Sequence, residues 1–304
     1  MISREQTEKL KGLAIILVMI GHLITANKLS LPMQMNSFAT FSVSIFLILS
    51  GYGLTKSYID KGINNFFKKR FLNVYVPFVI ASVITFSILG YTYSSLSELI
   101  KTVTFNQLNL KLDGTMWFIY FIFCWYFVFW LIFSLKISIH NKSIFIFIFS
   151  ILLYFLIQRV PYKIISYQFT LHSFSFPIGV LIAIYYKGNN KLNTILSVLL
   201  LLSFCFSFYS LLSNYSELKL QLSSLLFGLS MFFLFSIIKF NIKYLSLVGL
   251  YSYEAYLFEG SVLWWGTFRL QPMNIIMFFS TTFMLAIVLK EITNKINKYI
   301  IRNN

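Results

Sequence analysis

The chain has 304 residues, of which 58% are hydrophobic and 11% charged, against about 45–50% and about 25% in soluble domains. That leaves too little charge to coat a soluble fold of this size and points to an all-α, polytopic integral membrane protein. A net charge of +16 would suggest nucleic acid in a soluble protein. Here the cations stand in short clusters between apolar runs, which reads as membrane topology, and no nucleic-acid partner is expected.

The first apolar run, 10–27, follows a basic start at Arg4, Lys9 and Lys11. No A-x-A-like site follows it in Thr25-Ala26-Asn27-Lys28, so it reads as a retained span and not as a cleaved signal peptide. Further runs at about 38–56, 73–92, 116–135, 143–158, 172–187, 192–212, 219–238, 244–264 and 272–290 bring the candidate spans to ten. A bilayer crossing takes roughly 20 helical residues. Helices are required because a backbone in lipid must satisfy its own hydrogen bonds, and the alternation of a barrel strand is absent. The whole chain, 1–304, reads as one transmembrane domain surrounded by membrane lipids.

Orientation follows from Lys and Arg placement. With the N-terminus in the cytoplasm and ten spans, 18 of the 25 Lys and Arg residues fall in inner segments and seven in outer ones. Both termini are therefore expected in the cytoplasm of a multi-pass cell-membrane protein. The longest outer loop, about 91–115, is nearly neutral. Cys124 and Cys205 each sit inside an apolar run with no metal-ligand spacing, so they read as small apolar residues and no metal is expected.

Ionisable groups are costly in hydrocarbon, so those that occur there are functional candidates. In the first span the step from Lys11 to His22 is eleven residues, a net turn of about 20°. The two side chains share a face about 16 Å apart along the axis. Glu8 lies three residues before Lys11 and can pair with it. His22 is placed toward the outer half of the membrane, where an imidazole can take and return a proton near neutral pH. Its competing role is a hydrogen bond between packed helices.

Three further features stand out. Lys68-Lys69-Arg70 opens the third span, where cations either anchor topology or bind phosphates, with Pro77 close behind as a kink candidate. Thr40, Ser44 and Gly51 share a face in the second span and read as a close-packing surface. In the ninth span Ser252, Tyr256 and Glu259 share a face, and Glu254 and Glu259 need partners or water.

These pieces, taken in order, resemble the membrane-bound acyltransferase family called acyltransferase 3, whose members acylate sugars of envelope glycans. The family's opening pattern is an acidic residue, a basic residue, ten residues and a His. Glu8, Lys11 and His22 match it. Ser50-Gly51-Tyr52, Asp113-Gly114-Thr115-Met116-Trp117-Phe118, Phe176-Pro177-Ile178-Gly179 and Ser252-Tyr253-Glu254-Ala255-Tyr256-Leu257 resemble later family segments. Two positions depart from it. Asn73 stands where the basic pair Arg-x-x-Arg has its second member, and Glu259 where many relatives carry a His.

The resemblance implies an O-acyltransferase. Acyl-CoA, with acetyl-CoA the expected donor, docks from the cytoplasm near Lys11, Lys69 and Arg70. His22 is the implied base for a hydroxyl of a glycan or lipid-linked sugar. Glu8, about 21 Å from His22 along the helix, cannot orient it, so a carboxylate partner has to come from another helix. Glu259 is the candidate. The alternative class is a transporter or flippase of a lipid-linked sugar. Transporters usually carry inverted repeats and several polar groups at mid-membrane, and neither is evident in the sequence.

Overall fold

The computed structural model describes residues 2–27, 37–88, 95–108, 113–238, 242–266 and 271–302. Among these the regular structure is helical throughout. Of the cations that carry the inside–outside bias, Lys28, Lys111, Lys239 and Arg269 lie outside the described residues, as does the 91–94 start of the expected long loop.

The helices, in chain order, are α1 (Arg4–Ala26), α2 (Phe38–Lys61), α3 (Phe66–Arg70), α4 (Val76–Ile88), α5 (Leu96–Val103), α6 (Trp117–Ser134) and α7 (Ile139–Ile157). There follow α8 (Lys163–His172), α9 (Ser175–Tyr185), α10 (Asn190–Ser213), α11 (Glu217–Ile237), α12 (Lys243–Leu250), α13 (Ser252–Gly266) and α14 (Pro272–Arg302). Nine helical stretches among the described residues are long and apolar enough to cross a membrane. They correspond to nine of the ten expected spans and make the chain an all-α polytopic membrane protein. The tenth, expected at 244–264, is two shorter helices, α12 and α13, divided at Tyr251. Only 22% of the apolar windows of α7 and α10 is buried, and the faces they turn outward carry Phe155, Leu202 and Phe206. Apolar surface on that scale belongs in hydrocarbon.

Two expected spans begin seven or more residues earlier than their hydropathy suggests. The third starts at Phe66, seven residues before the expected 73, so Lys68, Lys69 and Arg70 are part of the helix itself. Between α3 and α4 the backbone makes one π-helical turn, Phe71–Tyr75. Pro77 has no N–H to give the carbonyl of Asn73, and a widened turn accommodates that loss. The sixth starts at Lys163 instead of 172 and is broken between α8 and α9. There Pro177 cannot bond the Ser173 carbonyl, and the Ser173 hydroxyl donates to the Thr170 carbonyl at 3.0 Å, competing with the helical ladder. Inside the expected 91–115 loop lies α5, whose Leu96, Leu99, Ile100 and Val103 recur at helical spacing.

The described residues form two compact units, Met1–Ile63 with Phe121–Leu250, and Asn64–Tyr120 with Tyr251–Asn304. The first is held by close helix crossings. A Cβ on Gly51 of α2 would strike the Phe176 carbonyl oxygen of α9, and one on Gly179 of α9 would strike the Ile48 carbonyl oxygen of α2. The two backbones touch because both positions lack a side chain. Gly12 of α1 and Gly249 of α12 form a second such pair, against the carbonyl oxygens of Leu245 and Glu8 respectively. In the same unit Phe41, Phe204, Phe208 and Phe227 interlock with ring centroids 5.1–5.8 Å apart, within the range of favourable aromatic pairs. In the second unit, Tyr75 and Tyr120 donate to the carbonyls of Val103 and Thr102 at 3.0 and 3.1 Å, satisfying the C-terminal end of α5.

Candidate active site

In the first unit, α1 is fixed at its start by a reciprocal cap. The Gln6 amide N–H donates to the Ser3 hydroxyl at 3.2 Å, and the Ser3 N–H donates to the Gln6 side-chain oxygen at 2.8 Å. The Gln6 side chain also donates to the Ser236 and Ile238 carbonyls at 3.1 and 3.3 Å, tying α1 to the C-terminal end of α11. Two turns of ion pairing follow. Lys9 meets Glu5 at 2.6 Å, and Lys11 meets Glu8 at 3.5 Å, the pair expected from their spacing. His22 is half-buried, four residues and about 6 Å from the C-terminal end of the helix. Its neighbour Gly21 packs on Ala39, the second residue of α2, with a Cβ there only 2.8 Å from the Ala39 N and Cβ.

The same unit holds a second histidine, His172, that the expected span boundaries make the first residue, at the outer end, of the sixth span. His172 is fully buried at the break between α8 and α9. Its Nδ1 lies 3.3 Å from the Ser44 hydroxyl, which in turn is 3.0 Å from Ser175 Oγ and 2.6 Å from Ser224 Oγ. Ser224 donates onward to the Thr40 carbonyl at 3.0 Å. The face of α2 read as a close-packing surface therefore also supplies the partner of a histidine on another helix. The visible signal was a Ser in register with close-packing residues; its partner lies 128 positions away.

In the second unit, Lys69 is exposed and the Arg70 guanidinium lies 5.6 Å from the centre of the Phe66 ring, within cation–π range. Asn73 lies in the π-helical turn, 3.5 Å from the side-chain amide of Asn297 on α14. Glu254, one of the two carboxylates that needed a partner, has one. Lys290 donates to its oxygens at 2.9 and 3.2 Å. Glu259 is fully buried. On the same helix Tyr256 donates to the Thr115 carbonyl and has the carboxyl groups of both Glu259 and Asp113 as neighbours. Asp113 accepts from the Thr115 N–H and hydroxyl at 2.8 and 2.6 Å. Its carboxylate lies directly against Gly260, where any Cβ would displace it. Asp113 is a second buried carboxylate beside the Glu259 turn that sequence reading quoted only as part of a family segment.

The expected site residues thus divide between the units. Lys11 and His22 belong to the first, and Lys69, Arg70 and Glu259 to the second. The chain matches the acyltransferase domain of the acyltransferase 3 family over residues 8–290, from the acidic residue before Lys11 through Lys290. It belongs to that family and is a membrane acyltransferase. No curated protein and no solved structure shows significant similarity to it.

Proposed function

We propose that this acyltransferase moves an acetyl group from cytoplasmic acetyl-CoA to a hydroxyl of a cell-envelope glycan. The observation that carries the reading is the family match, which opens at Glu8 and encloses both the Glu8–Lys11 pair and His22. In this reading His22 takes the proton of the acceptor hydroxyl as its oxygen attacks the thioester carbonyl carbon. The tetrahedral species collapses, the carbon–sulfur bond breaks, and the departing coenzyme A thiolate takes the proton back from the imidazolium. The products are an O-acyl glycan and free coenzyme A. Lys11, Lys69 and Arg70 are the proposed contacts for the donor's phosphates, as charge-assisted hydrogen bonds. Glu259, a fully buried carboxyl group, is assigned a supporting role in catalysis. The Lys and Arg bias supports a cytoplasmic location for both termini.

Mass spectrometry of envelope polysaccharides from cells with and without the protein tests this. The reading requires a difference of one acyl mass on otherwise unchanged glycan. Unchanged acylation of the glycan in cells without the protein would contradict the reading.

A further inference from the structure

A groove of about 490 Å³ runs between α10 and α11 of the first unit. It has no place in the chemistry assigned to His22. Its apolar walls are Leu202 and Phe206 on α10 and Leu222 and Leu226 on α11. Phe206 is 77% exposed. Ser203, Ser207 and Ser210 follow one face of α10 at steps of four and three, and their small side chains leave the hollow open. Two of these hydroxyls are already used. Ser203 donates to the Leu199 carbonyl at 2.9 Å, and Ser207 Oγ lies 2.7 Å from Ser223 Oγ. An occupant need bring no polar group to match them, so this part of the lining suits a hydrocarbon chain.

The groove is confined to one half of the helix pair. Leu202 and Leu226 stand near the middles of α10 and α11, whereas Ser210 and Lys219 stand at the ends joined by the α10–α11 turn. From Leu202 to Ser210 the helix rises about 12 Å. One leaflet offers roughly 15 Å of hydrocarbon, half of a 30 Å core. A partner helix crossing the membrane would run along both halves of the pair, whereas a lipid chain occupies one.

Lys219 is the charged residue of the lining. Its ammonium has three donors. Two go to the carbonyls of Ser210 and Asn214 at 3.2 and 3.0 Å, and no carboxylate pairs with it among the described residues. Glu217, two residues earlier, points about 160° away around the helix. The ammonium is thus held at the groove mouth with one N–H left for an anion. Tyr209 and Tyr215 flank the same turn, the aromatic pattern of a membrane–water interface, which sets Lys219 at headgroup depth. We infer that this groove binds an anionic phospholipid of the leaflet at the α10–α11 turn, with one acyl chain between the two helices and its phosphate on Lys219. The phosphate contact is a charge-assisted hydrogen bond. The assignment is independent of the acylation reading.

Native mass spectrometry of the purified full-length protein in a nonionic detergent tests it. The probes are dioleoyl phosphatidylglycerol, dioleoyl phosphatidylcholine, glycerophosphoglycerol as a headgroup without chains, and inorganic phosphate. One phosphatidylglycerol should be retained in preference to phosphatidylcholine, and neither soluble phosphate should displace it. Lys219→Met should reduce that preference about fivefold, the usual worth of one lysine at an anionic lipid surface, and Lys219→Arg should keep it. Ser203→Phe, at an exposed position, should fill the groove and weaken lipid retention. Lys191→Met, at the opposite end of α10, should change nothing. Equal retention of the two lipids, undiminished retention by Lys219→Met and Ser203→Phe, or displacement by a soluble phosphate would overturn the assignment. So would a dimer that Ser203→Phe disperses, because the groove would then belong to a second copy.

Discussion

The Nδ1 of His172 lies 3.3 Å from the hydroxyl of Ser44, in a fully buried network that joins α2, α9 and α11 to the end of α8. This makes His172 a packing histidine and separates it from half-buried His22. His172→Ala removes a fully buried ring and leaves a cavity, while Ser44 keeps its Ser175 and Ser224 partners, at a cost of about 2–5 kcal/mol. The expected outcome is a lowered unfolding temperature with near-normal activity per folded molecule. Thermal unfolding and single-turnover transfer on the same preparation check it. Lost activity at unchanged stability would move the base from His22 to His172.

Glu254 is almost fully buried, and Lys290 covers both its oxygens. Removing one partner of a buried pair leaves an uncompensated charge, at about 3–5 kcal/mol. The Lys290 side chain retains 32% exposure, so solvent screening reduces this to about 1–3 kcal/mol. Lys290→Met should lower stability, and adding Glu254→Gln should restore most of it. A double variant no better than the single one would show that the ion pair is not the source of the loss.

Gly51 and Gly53 are two residues apart and should behave oppositely. A methyl at Gly51 meets the Phe176 carbonyl, while one at Gly53 meets nothing within 4 Å. Gly51→Ala forces α2 and α9 apart, and overpacking of this kind costs about 1–3 kcal/mol. Gly53→Ala should be neutral or stabilise by up to about 1 kcal/mol through helix propensity. Unfolding temperatures of the two variants in one detergent decide it.

Lys69 is exposed, whereas Arg70 is partly engaged with the Phe66 ring. If both bind donor phosphates, Lys69→Gln should weaken coenzyme A binding without loss of stability, and Arg70→Gln should do both. Raising salt should weaken binding to the parent protein more than to Lys69→Gln, because an exposed charge is screened. Equilibrium binding of coenzyme A to correctly inserted protein reads this out. Equal affinity in parent and variants would leave these cations as topology anchors.

Nine of the ten expected spans are legible because a bilayer imposes one strong condition, a long apolar helix, that local composition reveals. The breaks are not legible in the same way. Pro177 and Ser173 interrupt the sixth span and Pro77 widens the third, but hydropathy averages over such points. The start of α3 was hidden because Lys68, Lys69 and Arg70 lower the hydropathy of a segment that is nonetheless helical. In the first span, the Glu8–Lys11 pair was visible in the sequence because its partners are three residues apart. The partners of Ser44, Glu254 and Asn73 lie 128, 36 and 224 positions away, and no local pattern encodes such pairings. Asp113 went unassigned for the same reason. Its significance comes from burial beside Gly260 and Tyr256, which only the folded chain brings about.

The most direct test of the account is acyl transfer by His22→Gln. The amide of Gln can replace a packing hydrogen bond of His22 but cannot cycle a proton near neutral pH. Single-turnover transfer from radiolabelled acetyl-CoA to envelope glycan should fall by about 10²–10⁴-fold, the usual contribution of a general base. Unfolding temperature, membrane insertion and coenzyme A affinity should stay close to those of the parent. Near-normal transfer by His22→Gln would show that this histidine only packs, and would contradict its assignment as the base.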